Sequence, residues 1–254
     1  FFHPRMPMEP LIFVEVALVD ELAGSVQALL DEQAPVFDAQ RATTAIFYSI
    51  SNTQVGLRGV SFGNFLLKRV IEDLQRDFPR LEQFATLSPI PGLRRWVEKH
   101  PQEWATVFDA DLRERLARHL PDGAVPSEDA LRALLADGAW AGNERLARAL
   151  QPALTRLAAR YFLHAKAAER GEKGGEPGAS VAKPFDPVAR FHLGNGARVE
   201  RINPLADTSP NGFKQAYGLM VNYLYDPDGI EANVEAFARA GNIAASGTVR
   251  RAGR

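Results

Sequence analysis

The hydrophobic pattern is clearest between residues 43 and 91, where it predicts a strand, a glycine loop, a helix and a second strand. Residues 43–51 are rich in β-branched and aromatic side chains, which favour a strand. Between residues 62 and 77, apolar side chains recur at the spacing of an amphipathic helix. Residues 84–88 predict another strand, which Pro89 ends because proline lacks the N–H that a strand needs. We expect the rest of the chain to be organised around this unit.

The loop between the first strand and the helix contains two glycines, which permit tight or positive-φ backbone. A glycine loop that opens a helix presents free N–H groups and the positive end of the helix dipole, so it suits phosphate. The sequence therefore predicts a phosphate-bearing ligand across this unit, with Ser49, Ser51 and Ser88 near it at the strand ends. The residues assigned to binding are Gly56, Leu57, Arg58, Gly59, Val60 and Ser61.

Segments on either side of this unit add further elements. A near-continuous apolar run over residues 11–18 predicts a strand buried on both faces, and residues 23–30 predict a modest helix. From about residue 97 to 167 the pattern is helical without a strand signal, which predicts a helical insertion between sheet strands. Residues 168–182 are rich in glycine and charge, and we expect a flexible surface loop there.

The C-terminal part of the chain returns to alternating strands and helices. Asp186 and Pro187 predict the N-cap and first position of a short helix, and Asn195-Gly196 predicts its end. The remaining predicted elements are strands over residues 198–202 and 216–225, a helix over 230–239 and a frayed tail over 240–254. Together these elements predict a mixed α/β (α+β) fold in which helices flank a central sheet.

Composition excludes several classes of protein. The chain has 254 residues and a formal net charge of −1, which argues against nucleic acid and membrane surfaces as partners. No apolar run reaches the roughly 18 residues of a membrane span. Cysteine is absent and the five histidines form no HxxxH or HExxH pair, so we expect no metal site. The start has no initiator Met and no signal-peptide pattern, so we expect a fragment of a longer chain.

Six motifs together resemble the malonyl-coenzyme A decarboxylase family. They follow the family's order with closely similar spacing, and the resemblance extends from residue 1 to about residue 235. The motifs are Ser49–Gln54, Gly56–Gly59, Ser88–Gly92, Phe191–Ala197, Ala206–Gly212 and Asn222–Tyr225. Their combination is far more specific than any one of them.

The resemblance implies a GNAT-type acetyltransferase fold, with residues 1–254 as a single catalytic domain. In that fold the glycine loop after a central strand holds the pyrophosphate of coenzyme A. Gln54 and Gly59 keep the loop pattern of the fold, whereas Leu57 stands at its middle glycine position. Lys68 and Arg69 are close in sequence and are two of several candidates for the 3′-phosphate.

The family also carries an N-terminal helical domain used in oligomerisation, which we expect to be absent from this chain. The resemblance therefore implies a homo-oligomer, a tetramer, for the full-length protein, and a role in fatty acid metabolism. The C-terminus is Arg251-Ala252-Gly253-Arg254 and has no peroxisomal signal. We expect a cytoplasmic protein of bacterial type.

Carried over by motif, the family's active-site residues fall on Ser49, Ser88, His192 and Tyr225. The implied reaction converts malonyl-CoA to acetyl-CoA and CO2, and no cofactor is expected because the thioester is itself the electron sink. We expect Ser88 and His192 to deliver the proton, and Ser49 and Tyr225 to position the carboxylate or thioester. A family glutamate just after the glycine loop is replaced by Ser61, which removes a carboxylate that could orient a hydroxyl or imidazole.

Two other functions fit the same sequence. An acyltransferase on this fold would bind an acyl-coenzyme A and pass the acyl group to an amine or carrier protein. A non-catalytic coenzyme A sensor would bind without turnover, and Ser61 in place of the family glutamate makes this alternative plausible. Release of acetyl-CoA from malonyl-CoA without an acceptor would distinguish a decarboxylase from both.

Overall fold

The computed structural model describes residues 1–54, 63–120, 124–166 and 183–254. Its strands are β1 (Phe2–His3), β2 (Met6–Pro10), β3 (Ile12–Val19), β4 (Thr44–Asn52), β5 (Gln83–Thr86), β6 (Ser88–Pro89), β7 (Arg198–Asn203) and β8 (Met220–Tyr225). Its helices are α1 (Val26–Leu29), α2 (Gly63–Asp77), α3 (Leu93–Lys99), α4 (Gln102–Val107), α5 (Ala110–Ala117), α6 (Glu128–Leu134), α7 (Glu144–His164), α8 (Pro187–Gly194), α9 (Pro210–Ala216), α10 (Ile230–Ala240) and α11 (Gly247–Ala252). The predicted mixed α/β class is confirmed.

Within the described residues, one sheet has the strand order β3, β4, β5, β8, with β6 and β7 also paired to β8. β4 and β5 run parallel, and the other neighbours run antiparallel. Phe84 lies opposite Tyr225 and Ser88 lies opposite Val221, so β6 continues the register of β5 along one edge of β8. β7 pairs along the other edge. The parallel pair β4–β5 and the intervening α2 are the unit that the hydrophobic pattern predicted.

Side chains that alternate along these strands divide into two apolar clusters. The larger cluster contains Phe47, Phe84 and Tyr223 together with buried side chains of α7 and α8. We call this side of the sheet the helical face. The smaller cluster, on the opposite side, contains Ile46 and Ala85, with side chains of α1 packed against it. Because helices cover the helical face so fully, a polar group there is shielded from water and needs a hydrogen-bond partner.

Between residues 93 and 164 the described residues form helices, α3 to α7, and no strand. Local signals set several of their boundaries. Ser127 caps α6 by accepting a hydrogen bond from the N–H of Ala130. α7 is the longest helix of the group, and its buried side chains include Leu146, Leu150 and Leu157. This helix forms the middle of the layer that covers the helical face.

The prediction for the first long strand is wrong in one respect. Among the described residues β3 pairs with β4 alone, so it lies at the edge of the sheet and is not buried on both faces as predicted. Phe13 is 52% exposed, and Glu15 is exposed as well, so one face of this end of the strand is open to solvent. An apolar run reports that side chains can be buried, but it does not say how many neighbours a strand has.

The predicted strand over residues 216–225 begins later than expected. Ser209 caps α9 and Pro210 occupies its first turn, so residues up to Ala216 are helical. Tyr217 and Gly218 then adopt positive φ angles of 54° and 76°, which end the helix before β8 starts. The local cap therefore overrides the β-forming composition of this stretch.

The tail predicted to be frayed is ordered. Residues 247–252 form α11, and Val249 is buried at 2% exposure. Ala245 forms a parallel bridge with Val199 of β7, and Nε2 of His164 lies 3.2 Å from the carbonyl oxygen of Gly253. Tertiary contacts to β7 and α7 stabilise a helix too short to form by itself.

Candidate active site

Three predicted residues meet on the helical face in a chain of hydrogen bonds. The Oγ of Ser88 lies 3.3 Å from Nε2 of His192, and Nδ1 of the same ring lies 2.7 Å from the hydroxyl oxygen of Tyr225. Ser88 is at the start of β6, Tyr225 ends β8 and His192 lies on α8. All three are at most 6% exposed. The structure thus joins side chains from three separate motifs into one buried polar group.

Thr86 completes this chain and fixes the direction of its hydrogen bonds. The hydroxyl of Ser88 donates to Oγ1 of Thr86 at 2.8 Å, and the N–H of Tyr223 donates to the same atom at 3.2 Å. Because the single hydroxyl hydrogen of Ser88 is given to Thr86, the serine oxygen is assigned as the acceptor of Nε2–H of His192. The neutral ring then accepts at Nδ1 from the Tyr225 hydroxyl. The proton chain therefore runs from Tyr225 through His192 and Ser88 to Thr86.

Burial sets the protonation states of this group. Loss of water around the ring lowers the pKa of His192 to about 3, so the imidazole is neutral at physiological pH. Burial also raises the pKa of Tyr225 well above its ordinary value and keeps its hydroxyl protonated. Both effects support the arrangement in which a neutral ring accepts at Nδ1 and donates at Nε2. The site can supply a proton from a hydroxyl and restore it from an imidazole N–H.

Tyr223 is a site residue that the sequence analysis did not identify. Its ring stacks on His192, with centroids 4.5 Å apart and planes 23° apart. Its hydroxyl is buried and has no hydrogen-bond partner among the described residues. Tyr223 could have been identified from its spacing to Tyr225, because residues two apart on a strand share a face. Thr86 could have been identified in the same way from its spacing to Ser88.

The two tyrosines provide a matched test of this network. Tyr225→Phe is expected to lower the free energy of unfolding by about 1–3 kcal/mol, because it leaves Nδ1 of a buried imidazole without its donor. Tyr223→Phe is expected to leave it unchanged or to raise it, because the hydroxyl it removes is buried without a partner among the described residues. Urea unfolding of both variants measures the difference. Equal losses would contradict the assigned hydrogen bonds.

The end of β5 brings Ser88 into this position. β4 and β5 pair as far as Phe47 and Thr86, and the Leu87 N–H still donates to the Phe47 carbonyl. Beyond this point β4 continues along β3, whereas Ser88 pairs with β8. The ladder between the two central strands therefore ends beside Ser88. A polar group next to such an opening can meet a ligand that enters between the strands.

The structure does not join Ser49 to the hydrogen-bonded group. Ser49 lies opposite Glu15 of β3, next to a register shift between Glu15 and Val16. Val14 and Val16 both pack with the helical-face cluster, so Glu15 and its partner Ser49 fall on the other face. No described hydrogen bond links Ser49 to Ser88. This register places Ser49 and Ser88 on opposite faces of the sheet.

The predicted phosphate loop, Gly56 to Ser61, lies outside the described residues, as does the predicted flexible loop over 168–182. The cations suggested for the 3′-phosphate are on α2. Lys68 pairs with Glu231 at 3.2 Å, and Arg69 lies within 4 Å of two carboxylates of its own helix. These ion pairs are about half exposed and are worth little, so an incoming phosphate can compete for either cation.

Two other histidines, His100 and His164, have structural positions. His100 caps the end of α3, with Nδ1 2.8 Å from the Trp96 carbonyl oxygen, and His164 ends α7. In the part of the chain that the structure covers, no group of three or more His, Asp or Glu side chains could hold a metal ion. Nor does any helix in that part have the length and apolar character needed to cross a membrane.

Known proteins similar to this chain agree on one family. Residues 1–253 match the family described as malonyl-CoA decarboxylase C-terminal domain. Mitochondrial malonyl-CoA decarboxylase of Anser anser anser is 38% identical in an alignment 254 residues long, which covers 97% of this chain and 47% of that protein. The rat protein of the same name is 38% identical in an alignment 255 residues long, which covers 97% of this chain and 48% of that protein.

Solved structures give the same result. The crystal structure of malonyl-CoA decarboxylase from Rhodopseudomonas palustris aligns with a TM-score of 0.78 at 45% identity, over 99% of this chain and 51% of that one. The enzyme from Cupriavidus metallidurans aligns with a TM-score of 0.72 at 49% identity, over 99% and 57%. The chain thus spans about half the length of the relatives it matches. Because the family match covers residues 1–253, the chain belongs to the malonyl-CoA decarboxylase family, in the region of its C-terminal domain.

Proposed function

We propose that this protein decarboxylates malonyl-CoA to acetyl-CoA and CO2. The single observation that carries the proposal is the buried Ser88–His192 hydrogen bond, made by two motif residues of a chain that belongs to this family. Loss of CO2 breaks the bond between the carboxylate carbon and the α-carbon. The electron pair passes into the thioester carbonyl and forms an enolate, which needs one proton at its α-carbon to become acetyl-CoA.

The apolar surroundings of the site suit the first step. The carboxylate must stand out of the thioester plane so that the breaking bond overlaps the carbonyl π system. Apolar surroundings disfavour the charged carboxylate relative to neutral CO2, and the helical face provides such surroundings beside Ser88. Enolate formation therefore requires positioning and exclusion of water, which are properties of the fold.

The proton in the second step comes from Ser88 in this proposal. Its hydroxyl hydrogen turns from Thr86 to the α-carbon, and the hydrogen on Nε2 of His192 moves to the serine oxygen. A proton from solvent then restores the imidazole, so each turnover consumes one proton. A thioester enolate is a strong base, so neutral donors are sufficient. Tyr225 holds the ring in the required tautomer. This role replaces the one that the family motif suggested, in which Tyr225 positions the substrate.

The remaining predicted residues are assigned to the coenzyme A end and to the carboxylate. Backbone N–H groups of residues 56–61 hold the pyrophosphate, which is supported by their place between β4 and α2 in the GNAT-type arrangement. Ser49 lies on the part of β4 that has left β5, where it donates to the carboxylate or thioester. Since Ser49 is outside the hydrogen-bonded group, Ser49→Ala should affect turnover less than Ser88→Ala.

Incubation with malonyl-CoA alone tests the proposed function. We expect acetyl-CoA and CO2 in equal amounts without an acceptor, and a loss of about 10²–10⁴-fold in kcat for Ser88→Ala with KM nearly unchanged. Ser127→Ala is the matched control, because this serine caps α6 away from the site and should leave kcat intact. Strict dependence on an acceptor would support the acyltransferase instead. Binding without turnover would support the coenzyme A sensor.

Cellular location and assembly are separate proposals. We place the protein in the bacterial cytoplasm, which is supported by its 45–49% identity to bacterial structures compared with 38% to mitochondrial proteins. A homo-oligomer follows from the family resemblance, and size-exclusion chromatography with light scattering would test it. A role in fatty acid metabolism follows from the chemistry, because malonyl-CoA is the two-carbon donor consumed there.

A further inference from the structure

We infer that Asp186 is a positioning residue that holds both halves of the Ser88–His192 pair in register. The inference rests on the proposed function in so far as that pair delivers the proton. Ser88 and His192 are 104 residues apart in sequence and belong to different elements. Their separation is therefore set by whatever connects those elements, and Asp186 together with Tyr161 connects them.

One carboxylate oxygen of Asp186 begins the helix that carries His192. Its Oδ1 accepts hydrogen bonds from the N–H groups of Val188 and Ala189, at 2.8 and 2.9 Å. These bonds satisfy two free donors of the first turn of α8 and fix where the helix starts. His192 lies on the second turn of the same helix. The position of its ring thus depends on this cap.

The other carboxylate oxygen reaches across to a further element. Oδ2 accepts a hydrogen bond from the hydroxyl of Tyr161 on α7 at 3.0 Å. Gly92, which caps α3, packs against the same tyrosine hydroxyl. Gly92 follows Ser88 by four residues, so the carboxylate is joined directly to the histidine helix and, through Tyr161, to the segment that continues from the serine.

The packing around this junction leaves little freedom. Asp186 is 2% exposed and Tyr161 is 1% exposed. A Cβ built on Gly92 would lie 2.3 Å from the Tyr161 hydroxyl oxygen, so only glycine allows the tyrosine to approach. Arg95 lies over the ring of Phe185, and Arg190 donates to the carbonyls of Pro184 and Phe185, which immobilises the chain just before Asp186. The junction has one well-defined geometry.

The effect on His192 is geometric. Burial is the cause of the histidine's lowered pKa. A displacement of about 1 Å between catalytic groups can lower a rate by about 100-fold while leaving binding intact. Loss of the Asp186 junction should therefore lower kcat without raising KM.

Asp186→Asn and Tyr161→Phe test this inference. Asparagine still caps α8 through its oxygen, but its NH2 group replaces the oxygen that accepts from the Tyr161 hydroxyl, so the link through Tyr161 to the serine segment is broken. We expect kcat to fall by about 10–100-fold in Asp186→Asn, with KM within about 2-fold. Tyr161→Phe should give a smaller loss, and the double variant should lose little more than Asp186→Asn because both act on one junction.

Asp109→Asn is the matched control, because Asp109 caps α5 through the Leu112 N–H and lies in another part of the fold. Its kcat should be unchanged. An unchanged kcat in Asp186→Asn, or a KM that rises as much as kcat falls, would overturn the inference. ¹⁵N NMR of the imidazole provides a readout that needs no substrate. If the wild-type protein fails to decarboxylate malonyl-CoA, altered His192 signals in Asp186→Asn still support positioning, and unaltered signals overturn it.

Discussion

Replacing His192 by glutamine is expected to lower kcat for malonyl-CoA decarboxylation by about 10²–10⁴-fold, with KM changed by less than about 3-fold. Glutamine fills much of the same space and can still donate to Ser88, but its amide does not release a proton to a serine oxygen. Because Nε2 of His192 is bonded to Ser88, the histidine returns a proton to the serine that protonates the substrate. The substitution should therefore lower kcat rather than raise KM. Steady-state kinetics and a binding measurement with a non-reactive malonyl-CoA analogue separate the two parameters.

His100→Gln is the control for this substitution. His100 also bonds through its ring, to the Trp96 carbonyl, but it ends α3 and is remote from Ser88. It should retain wild-type kcat and KM. A His192→Gln variant with unaltered turnover and affinity would show that the assigned site is wrong. A variant that loses affinity while keeping turnover would place His192 in binding rather than in proton delivery.

The free energy of unfolding is expected to fall as the pH is lowered below about 6.5, in part because of His192. The folded protein keeps this ring neutral, with a pKa of about 3 compared with 6.5 when unperturbed. Between these values the unfolded chain binds a proton that the folded protein does not, so acid favours unfolding. The contribution approaches about 1.4 kcal/mol for each pH unit well below pH 6.5 and amounts to about 2 kcal/mol between pH 6.5 and pH 4.5.

Urea unfolding of the wild type and His192→Gln over this pH range isolates the effect. The difference in unfolding free energy between the two proteins should shrink towards low pH, with the slope given above. Burial raises the pKa of Asp186, so this carboxyl contributes with the opposite sign. Asp186 is present in both proteins and cancels in the difference. Parallel pH curves would show that the folded protein protonates His192 as readily as the unfolded chain.

Elements governed by local contacts were predictable from sequence. Asp186 and Pro187 at the start of α8, and Asn195 with Gly196 at its end, occupy their predicted positions, and Gly196 has a φ angle of 83°. A cap depends on residues within one turn of the helix, so its information is contained in a short window. The unit of β4, α2 and β5 was predictable for a similar reason, because its periodic patterns are long and uninterrupted.

Of three expectations that failed, two depend on distant residues and the third on a local helix cap. The edge position of β3 depends on which strands pair with it, and the order of α11 depends on its contacts with α7 and β7. The late start of β8 depends on α9, whose cap competes with the β-forming composition that follows. Composition and periodicity indicate which side chains a segment can bury, but they do not indicate which other segments it packs against.

The sequence by itself determined the mixed α/β class and, through its motifs, the pairing of Ser88, His192 and Tyr225 in one site. Only the tertiary structure decided how they are connected: Tyr225 bonds to the histidine, Thr86 orients the serine, and Ser49 lies apart opposite Glu15. The physical reason is that hydrogen bonds within the site act over about 3 Å. A strand register or helix start set by remote packing decides which side chains come that close.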